Sequence, residues 1–86
     1  MPFQVIYDER AVENFRGVPV SNQAQIARAI QERLTVDPVR LGKALVGEFS
    51  GMRRLRVGDW RVIYEVEDGN VIIRSIKLRR DAYKRR

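Results

Sequence analysis

The amino-acid sequence predicts an α+β domain in which a helical hairpin packs against one face of a twisted antiparallel sheet. A helical pattern of apolar residues occupies the first half of the chain, whereas the second half contains three strand-like runs joined by tight turns. Helices and strands that are segregated in this way are typical of the α+β class. The predicted order β-α-α-β-β-β fits a single domain over residues 1–86, which ends in a short basic C-terminal segment.

The first half of the chain predicts one strand followed by two helices. Residues 3–7 (FQVIY) are β-branched and aromatic, which favours a strand. Asp8 is well placed to cap a short helix that follows it. Gly17 and Pro19 then end that helix, and an apolar stripe at helical spacing predicts a second helix over about residues 22–36.

The strands of the second half are separated by dipeptides that favour turns. Gly58-Asp59 and Asp68-Gly69 are typical of tight hairpin turns, so the second half predicts a three-stranded meander. Residues 39–51 fit either a turn of helix or an irregular cover. The three predicted strands are Met52–Val57, Trp60–Val66 and Asn70–Leu78.

Two arginines are predicted to face each other across the first hairpin. If Gly58 and Asp59 form its loop, Arg56 pairs directly with Arg61 on the sheet face opposite the apolar residues, and Arg54 lies on the same face. Like charges in direct opposition destabilise a sheet. Guanidinium groups bind phosphate through paired hydrogen bonds, so this pairing predicts an anion-binding face.

The second hairpin has two possible registers, and both remain open. A two-residue loop at Asp68-Gly69 places Arg74 on the basic face. A three-residue loop places Lys77 there instead, beside Arg61. A slip of one residue reverses the face of every side chain in a strand, so Arg74 and Lys77 are competing candidates.

Positive charge is concentrated at the C-terminal end of the chain. Residues 52–86 carry eleven Lys/Arg and five Asp/Glu, whereas residues 1–51 carry six of each. A basic half of this kind is typical of a protein that binds a polyanion such as nucleic acid. Its last part combines cations with one tyrosine that could stack on a base. The members of this C-terminal cluster are Lys77, Arg79, Arg80, Tyr83, Lys84, Arg85 and Arg86.

Several classes of function are excluded by what the sequence lacks. It contains no cysteine and no histidine, which removes disulfides, thiol chemistry and the Ser-His-Asp arrangement, as well as the usual metal ligand. It has no P-loop and no GxGxxG motif. No apolar stretch approaches the roughly 18–20 residues that span a bilayer, and the N-terminus does not resemble a secretory signal. The sequence therefore predicts a cytoplasmic protein with no metal, cofactor or membrane association.

Two motifs resemble those of the RelE branch of the RelE/ParE toxins. The run from Met52 to Tyr64 (MRRLRVGDWRVIY) is similar to the LRxGxxRxxY-type hairpin of that family. The ending from Arg79 to Tyr83 (RRDAY) is similar to its GHRxxxY-type ending, although Leu78 stands where the family often has histidine. Together with the opening strand and the helical hairpin, the resemblance covers essentially the full chain.

The resemblance implies a toxin of a type II toxin–antitoxin system that cleaves mRNA in the ribosomal A site without a metal. In such an enzyme the ribose 2′-OH attacks the adjacent phosphate. Residues that match the family's motifs are given these roles. The implied catalytic residues are Arg56, Arg61, Arg79 and Tyr83, and the predicted RNA- or phosphate-binding residues are Arg54, Arg74, Lys77 and Arg80.

The resemblance also implies partners, and it leaves two alternative functions open. The expected partners are a RelB-like antitoxin, mRNA and the ribosome, with operator DNA bound only through the antitoxin complex. The alternatives are a ParE-like inhibitor of DNA gyrase and a non-catalytic module that binds nucleic acid. Apolar Val18, Val20, Val46 and Phe49 are expected in the core rather than at a docking surface.

Overall fold

The computed structural model describes residues 2–83 and confirms the α+β class, with a five-stranded mixed sheet. The predicted strand, helical hairpin and meander are all present. The helices are α1 (Glu9–Arg16), α2 (Val20–Ala29) and α3 (Pro38–Leu41), and a π-helical turn (Ile30–Leu34) prolongs α2. The strands are β1 (Gln4–Tyr7), β2 (Lys43–Ala44), β3 (Arg53–Val57), β4 (Trp60–Glu67) and β5 (Asn70–Leu78), and 3₁₀ turns occupy Gly47–Phe49 and Arg79–Asp81.

The strands lie in the order β1-β5-β4-β3-β2, and β1 runs parallel to β5. The prediction of a wholly antiparallel sheet is therefore wrong at this one pair. Parallel strands require a long crossover, and here the helices and the β3–β4 hairpin separate β1 from β5 along the chain. The two-residue strand β2, at the opposite edge, pairs with β3 and was not predicted.

One face of the sheet packs against α1, α2 and the π-helical extension of α2 to form the core. The predicted stripe residues Ile26, Ile30 and Leu34 are buried there. Among the residues expected in the core, Val18 is buried, but Val20 and Val46 are 80% and 83% exposed, so that prediction is wrong for these two. Val20 is the first residue of α2, and Val46 lies in the loop before a 3₁₀ turn.

Tyr64 and Arg53 attach the α3–β2 segment to the sheet. The buried Tyr64 hydroxyl donates a hydrogen bond to the Pro38 carbonyl at 2.6 Å. Arg53 Nη2 donates to the carbonyls of Val39 and Gly42, the latter at 3.0 Å. Gly42 packs so closely on the Tyr64 ring that a side chain at position 42 has no room.

Because β5 contains a β-bulge, each of the two predicted registers of the second hairpin occurs in one part of it. Next to the turn, Glu67 pairs with Asn70, as a two-residue loop requires. Farther along, Arg61 pairs with Lys77, as the three-residue alternative predicted. The shift occurs opposite Ile63 and Tyr64, where Arg74 is left without a cross-strand partner.

None of the helices within residues 2–83 has the length and apolar character needed to cross a membrane.

Candidate functional site

Four cationic residues lie side by side on the sheet face opposite the core. The predicted direct pairing of Arg56 with Arg61 is confirmed. Arg61 is flanked on its other side by Lys77, and Arg54 lies two residues from Arg56 along β3, on the same face. Arg56 is exposed, whereas Arg54 and Lys77 are partly buried. Three neighbouring strands therefore present one continuous patch of positive charge, which we call the cationic cluster.

The segment after β5 brings Arg79 and Tyr83 to this cluster. The Arg79 backbone N–H donates to the Asp59 carbonyl at 2.8 Å, which fixes the segment to the tip of the first hairpin. At its other end, the Tyr83 hydroxyl lies 3.4 Å from Arg54 Nη1. The predicted catalytic residues of the hairpin and of the C-terminal ending are thus brought together.

Phe49 supports Tyr83 and was not anticipated as part of the site. Their rings meet edge to face, with centroids 5.7 Å apart and an interplanar angle of 77°. Phe49 belongs to the 3₁₀ turn before β3, in a loop whose glycines Gly47 and Gly51 both adopt positive φ. No pattern in the sequence links Phe49 to Tyr83, because the contact depends on how two irregular segments meet.

Arg61 is held rigidly and is only 4% exposed. Its Nη1 donates to the carbonyls of Gly58 and Trp60, both at 2.9 Å, so the guanidinium is attached to the hairpin turn. Burial lowers the pKa of Arg61, and the nearby charges of Arg56, Arg54 and Arg79 lower it further. An anion among these groups would relieve their mutual repulsion.

Arg54 also has unused hydrogen-bonding capacity. Its Nε is buried and has no acceptor within residues 2–83. A buried donor without a partner costs about 1–3 kcal/mol, and a bound anion would supply the missing acceptor. Arg54 therefore adds to the anion-binding character of the cationic cluster.

Arg74 and Arg80 are placed differently from the other predicted residues. Arg74 lies at the bulge, where its guanidinium bonds Asp8 Oδ2 at 3.0 Å and Glu65 Oε1 at 2.6 and 2.8 Å. Two carboxylates thus neutralise Arg74, and its contacts are those of a structural residue. The Arg80 side chain is 81% exposed and lies 4.0 Å from Asp81. The predicted contributors Lys84, Arg85 and Arg86 lie outside the described residues.

Asp8 connects α1 to the sheet through Arg74, and its charge is expected to make stability depend on pH. Its Oδ1 accepts from the backbone N–H groups of Arg10 and Ala11, as the predicted helix cap requires. Burial alone would raise the pKa of Asp8, but the hydrogen bonds from Arg74, Ala11 and Arg10 together with the charge of Arg74 outweigh it, so the pKa is lowered.

Replacing Asp8 with asparagine is expected to destabilise the protein by about 1 kcal/mol at neutral pH, because asparagine keeps the cap and loses the ion pair. A carboxyl whose pKa is lowered on folding stabilises the fold above its unfolded pKa, and this stabilisation is lost as the pH falls through the folded pKa. Urea unfolding of both proteins should therefore show a difference at about pH 7 that disappears at about pH 2. A difference that is constant with pH would contradict this origin.

The fold and the cationic cluster agree with what the resemblance predicts for a small toxin of the RelE/ParE superfamily. The family model of the ParE toxin of type II toxin–antitoxin systems (parDE) matches residues 5–83. The chain therefore belongs to this toxin family.

Two toxins are similar to this chain in sequence, and a chain of one solved complex is similar to it in fold. Toxin RelE of Mycobacterium tuberculosis (strain H37Rv) is 29% identical over 79 residues, which cover 92% of this chain and 81% of that toxin. Toxin RelG of the same organism is 29% identical over 87 residues, covering 99% and 100%. The toxin–antitoxin complex RelBE2 from M. tuberculosis contains a chain that is 25% identical, with a TM-score of 0.85 and coverage of 91% and 99%.

Proposed function

We propose that this toxin is an endoribonuclease that cleaves mRNA on the ribosome without a metal and thereby inhibits translation in the cytoplasm. The observation that carries the proposal is the convergence of Arg54, Arg56 and Arg61 on one sheet face, with the hydroxyl of Tyr83 beside Arg54 and with Arg79 in the segment that follows β5. RNA cleavage through its own 2′-OH needs charge stabilisation and proton transfer, and this set of side chains offers groups for both.

In the proposed reaction the 2′-oxygen forms a bond to the adjacent phosphorus while the bond from phosphorus to the 5′-oxygen breaks. The products are a 2′,3′-cyclic phosphate and a free 5′-OH. Arg56 and Arg61 stabilise the extra negative charge of the phosphorane, and Arg54 holds the neighbouring backbone. Because Arg61 is already fixed to the turn, it needs no reorganisation when that charge develops.

Two proton transfers complete the proposed reaction. Tyr83, acting as a phenolate, accepts the proton of the 2′-OH and becomes a neutral phenol. The Lys77 ammonium or the Arg79 guanidinium gives a proton to the departing 5′-oxygen, which leaves as the free 5′-OH. The aliphatic Leu78, which occupies the position where the family often has histidine, pairs with Trp60 at the end of β5 and has no proton to donate. Lys77 is the cross-strand neighbour of Arg61, and its ammonium group has a proton to donate to the 5′-oxygen.

The proposal includes an antitoxin as the partner that silences the toxin. The structural relative RelBE2 is a toxin–antitoxin complex, which supports a RelB-like antitoxin for this chain. Within the toxin–antitoxin complex, the antitoxin would be the chain that binds operator DNA.

The description of the matching family favours a second candidate function. A ParE-type toxin inhibits DNA gyrase rather than cutting RNA, and the family model that matches this chain carries the ParE name. The relatives named RelE and RelG support the first candidate, as does the full set of arginines with Tyr83.

Primer extension on a defined mRNA in a purified translation system separates these functions. We expect cuts that require ribosomes and that disappear in the Arg61→Ala variant. Intact mRNA in the presence of folded protein would contradict the proposal. A gyrase supercoiling assay would then test the second candidate, and a negative result there would leave a module that only binds nucleic acid.

Tyr83 can be tested separately as the proton acceptor. We expect Tyr83→Phe to lower the cleavage rate about 10²-fold, because it removes the hydroxyl near Arg54 and keeps the ring that contacts Phe49. The measurement is single-turnover cleavage of mRNA on ribosomes. If Tyr83→Phe retains the full rate and only Tyr83→Ala loses it, the ring stacks on a base and transfers no proton.

A further inference from the structure

Two buried apolar residues, Ile63 and Ala82, lie outside the main core. Ile63 pairs with Arg54 and with Ser75, so its side chain points to the sheet face that carries the cationic cluster. The segment after β5 passes over this face on its way from the Asp59 carbonyl to Arg54, which places it to cover Ile63. The C-terminal end of the site is therefore attached to the sheet by apolar packing as well as by polar contacts.

Tyr83 stands at the end of this segment, and its polar contact holds it only weakly. The side chain is 37% exposed, and its hydroxyl lies 3.4 Å from Arg54 Nη1, which is longer than most hydrogen bonds. The bond from Arg79 to Asp59 fixes the backbone of the segment but not the direction of the Tyr83 ring. Within residues 2–83, the ring contact that can set this direction is the edge-to-face contact with Phe49.

Phe49 is presented to Tyr83 from a backbone that is well fixed. The loop is closed at its base by a hydrogen bond from the Leu45 N–H to the Met52 carbonyl at 2.9 Å. Inside the loop, the Phe49 N–H donates to the Val46 carbonyl at 3.3 Å, and the Met52 N–H donates to the Phe49 carbonyl at 3.0 Å. Phe49 is not among the residues that pack against the main core, so its ring is free to serve Tyr83.

We propose that Phe49 is a positioning residue, which holds the Tyr83 ring so that the phenol oxygen stays beside Arg54. Aromatic pairs prefer offset or edge-to-face arrangements with centroids 4.5–7 Å apart, and the pair of Phe49 and Tyr83 has this geometry. Proton transfer requires the accepting oxygen to be within hydrogen-bond reach of the 2′-OH, so a ring that turns away slows the reaction. Phe49 acts through Tyr83 and does not itself contact the reacting atoms.

This inference rests on the proposed function, in which Tyr83 accepts the proton. Its first test is single-turnover cleavage of mRNA on ribosomes by Phe49→Ala. We expect the maximal rate to fall about ten-fold, as the loss of one aromatic pair allows, while the toxin concentration that gives half of that rate is unchanged. Phe49→Tyr, which keeps the ring, should recover most of the lost rate. Val46→Ala, at an exposed residue of the same loop, is the matched control and should change neither quantity.

The second test repeats Phe49→Ala in the Tyr83→Phe protein, which has no phenol oxygen to position. Phe49→Ala should then change the rate by less than about two-fold, because residues that act through one group have non-additive effects. A ten-fold loss in both proteins overturns the inference, since Phe49 would then act independently of Tyr83. A wild-type rate for Phe49→Ala in the presence of Tyr83 overturns it as well.

The remaining outcomes distinguish this inference from the function on which it rests. If Tyr83→Phe cleaves at the wild-type rate, the positioning role is overturned and the ribonuclease activity is not. Absence of cleavage by the folded wild-type protein overturns the proposed function together with this inference. Thermal melting identifies any variant that is partly unfolded. If Phe49→Ala is one of them, Phe49→Leu, which fills similar space without a ring, replaces it in both tests.

Discussion

Replacing Arg56 with alanine is expected to lower the rate of mRNA cleavage by about 10²- to 10³-fold while the protein stays folded. Removing one preorganised group that stabilises charge in a transition state typically has an effect of this size. Arg56 is exposed and lies directly opposite Arg61, so its removal also relieves a like-charge pair. We therefore expect stability to stay within about 0.5 kcal/mol of the wild type, or to rise slightly.

The combination of lower activity and unchanged stability is what distinguishes a functional arginine from a structural one. Arg33→Ala is a matched control, because it removes the same charge from the helical layer on the other face of the sheet, where Arg33 is also exposed. Single-turnover cleavage and urea unfolding should be measured for both variants. If the Arg56→Ala and Arg33→Ala variants cleave mRNA at the same rate, Arg56 is not part of the site. Its charge then affects cleavage only through the net charge of the protein.

Arg61→Ala provides a more complex comparison. It removes the same kind of charge, but it also removes two hydrogen bonds to the hairpin turn. A slower cleavage by Arg61→Ala is assigned to the loss of the catalytic charge only if the melting temperature of the variant is unchanged. The exposed Arg56 is therefore the cleaner position for measuring what a single guanidinium contributes to the reaction.

Replacing Gly42 with alanine is expected to destabilise the protein by about 3 kcal/mol. A Cβ at this position would lie 2.7 Å from Tyr64 Cζ, closer still to the hydroxyl oxygen, and 3.1 Å from the Arg54 carbonyl. Tyr64 is fully buried and its hydroxyl bonds Pro38, so the ring cannot move aside. Overpacking of this kind typically costs about 1–3 kcal/mol, and a contact with a ring that is fixed on both sides belongs at the upper end.

Gly17→Ala is the control for this experiment. A Cβ at Gly17 would meet its nearest atom, the Asn14 carbonyl oxygen, at 3.6 Å, which is an ordinary contact. Urea unfolding should therefore show a large loss for Gly42→Ala and little change for Gly17→Ala. Adding Tyr64→Phe to Gly42→Ala should recover part of the loss, because it removes the atom nearest the new Cβ. A Gly42→Ala protein as stable as the wild type would show that the α3–β2 segment moves freely over the sheet.

The sequence allowed the first hairpin to be predicted pair by pair because turn chemistry and strand alternation agree there. Gly58-Asp59 fixes the loop, and the alternation then places Arg56 opposite Arg61, as the structure confirms. The parallel pairing of β1 with β5 could not be predicted in this way, since it depends on where the helical hairpin carries the chain rather than on any local pattern.

The sequence indicated which residues of the candidate site lie near one another, but it did not indicate their contacts. The resemblance placed Arg54, Arg61 and Tyr83 together, yet nothing in the sequence indicates that Arg61 is buried against its own turn. The ion pairs of Arg74 were also hidden, because Asp8 is distant in the chain and the bulge exists only in the assembled sheet. Contacts between distant segments require the fold, whereas alternation within a strand does not.

The bulge at Arg74 reverses the alternation of side chains along β5, so that odd-numbered residues face the core on one side of it and even-numbered residues on the other. On the turn side, odd-numbered Val71 and Ile73 point into the core, while beyond the bulge it is even-numbered Ile76 that does so. Lys77 joins Arg61 only because of this one extra residue. A deletion anywhere between Ile73 and Ile76 would turn the end of β5 over, bringing a lysine towards the core and an isoleucine towards the cationic cluster. This short stretch of chain should therefore tolerate substitution far better than any change in its length.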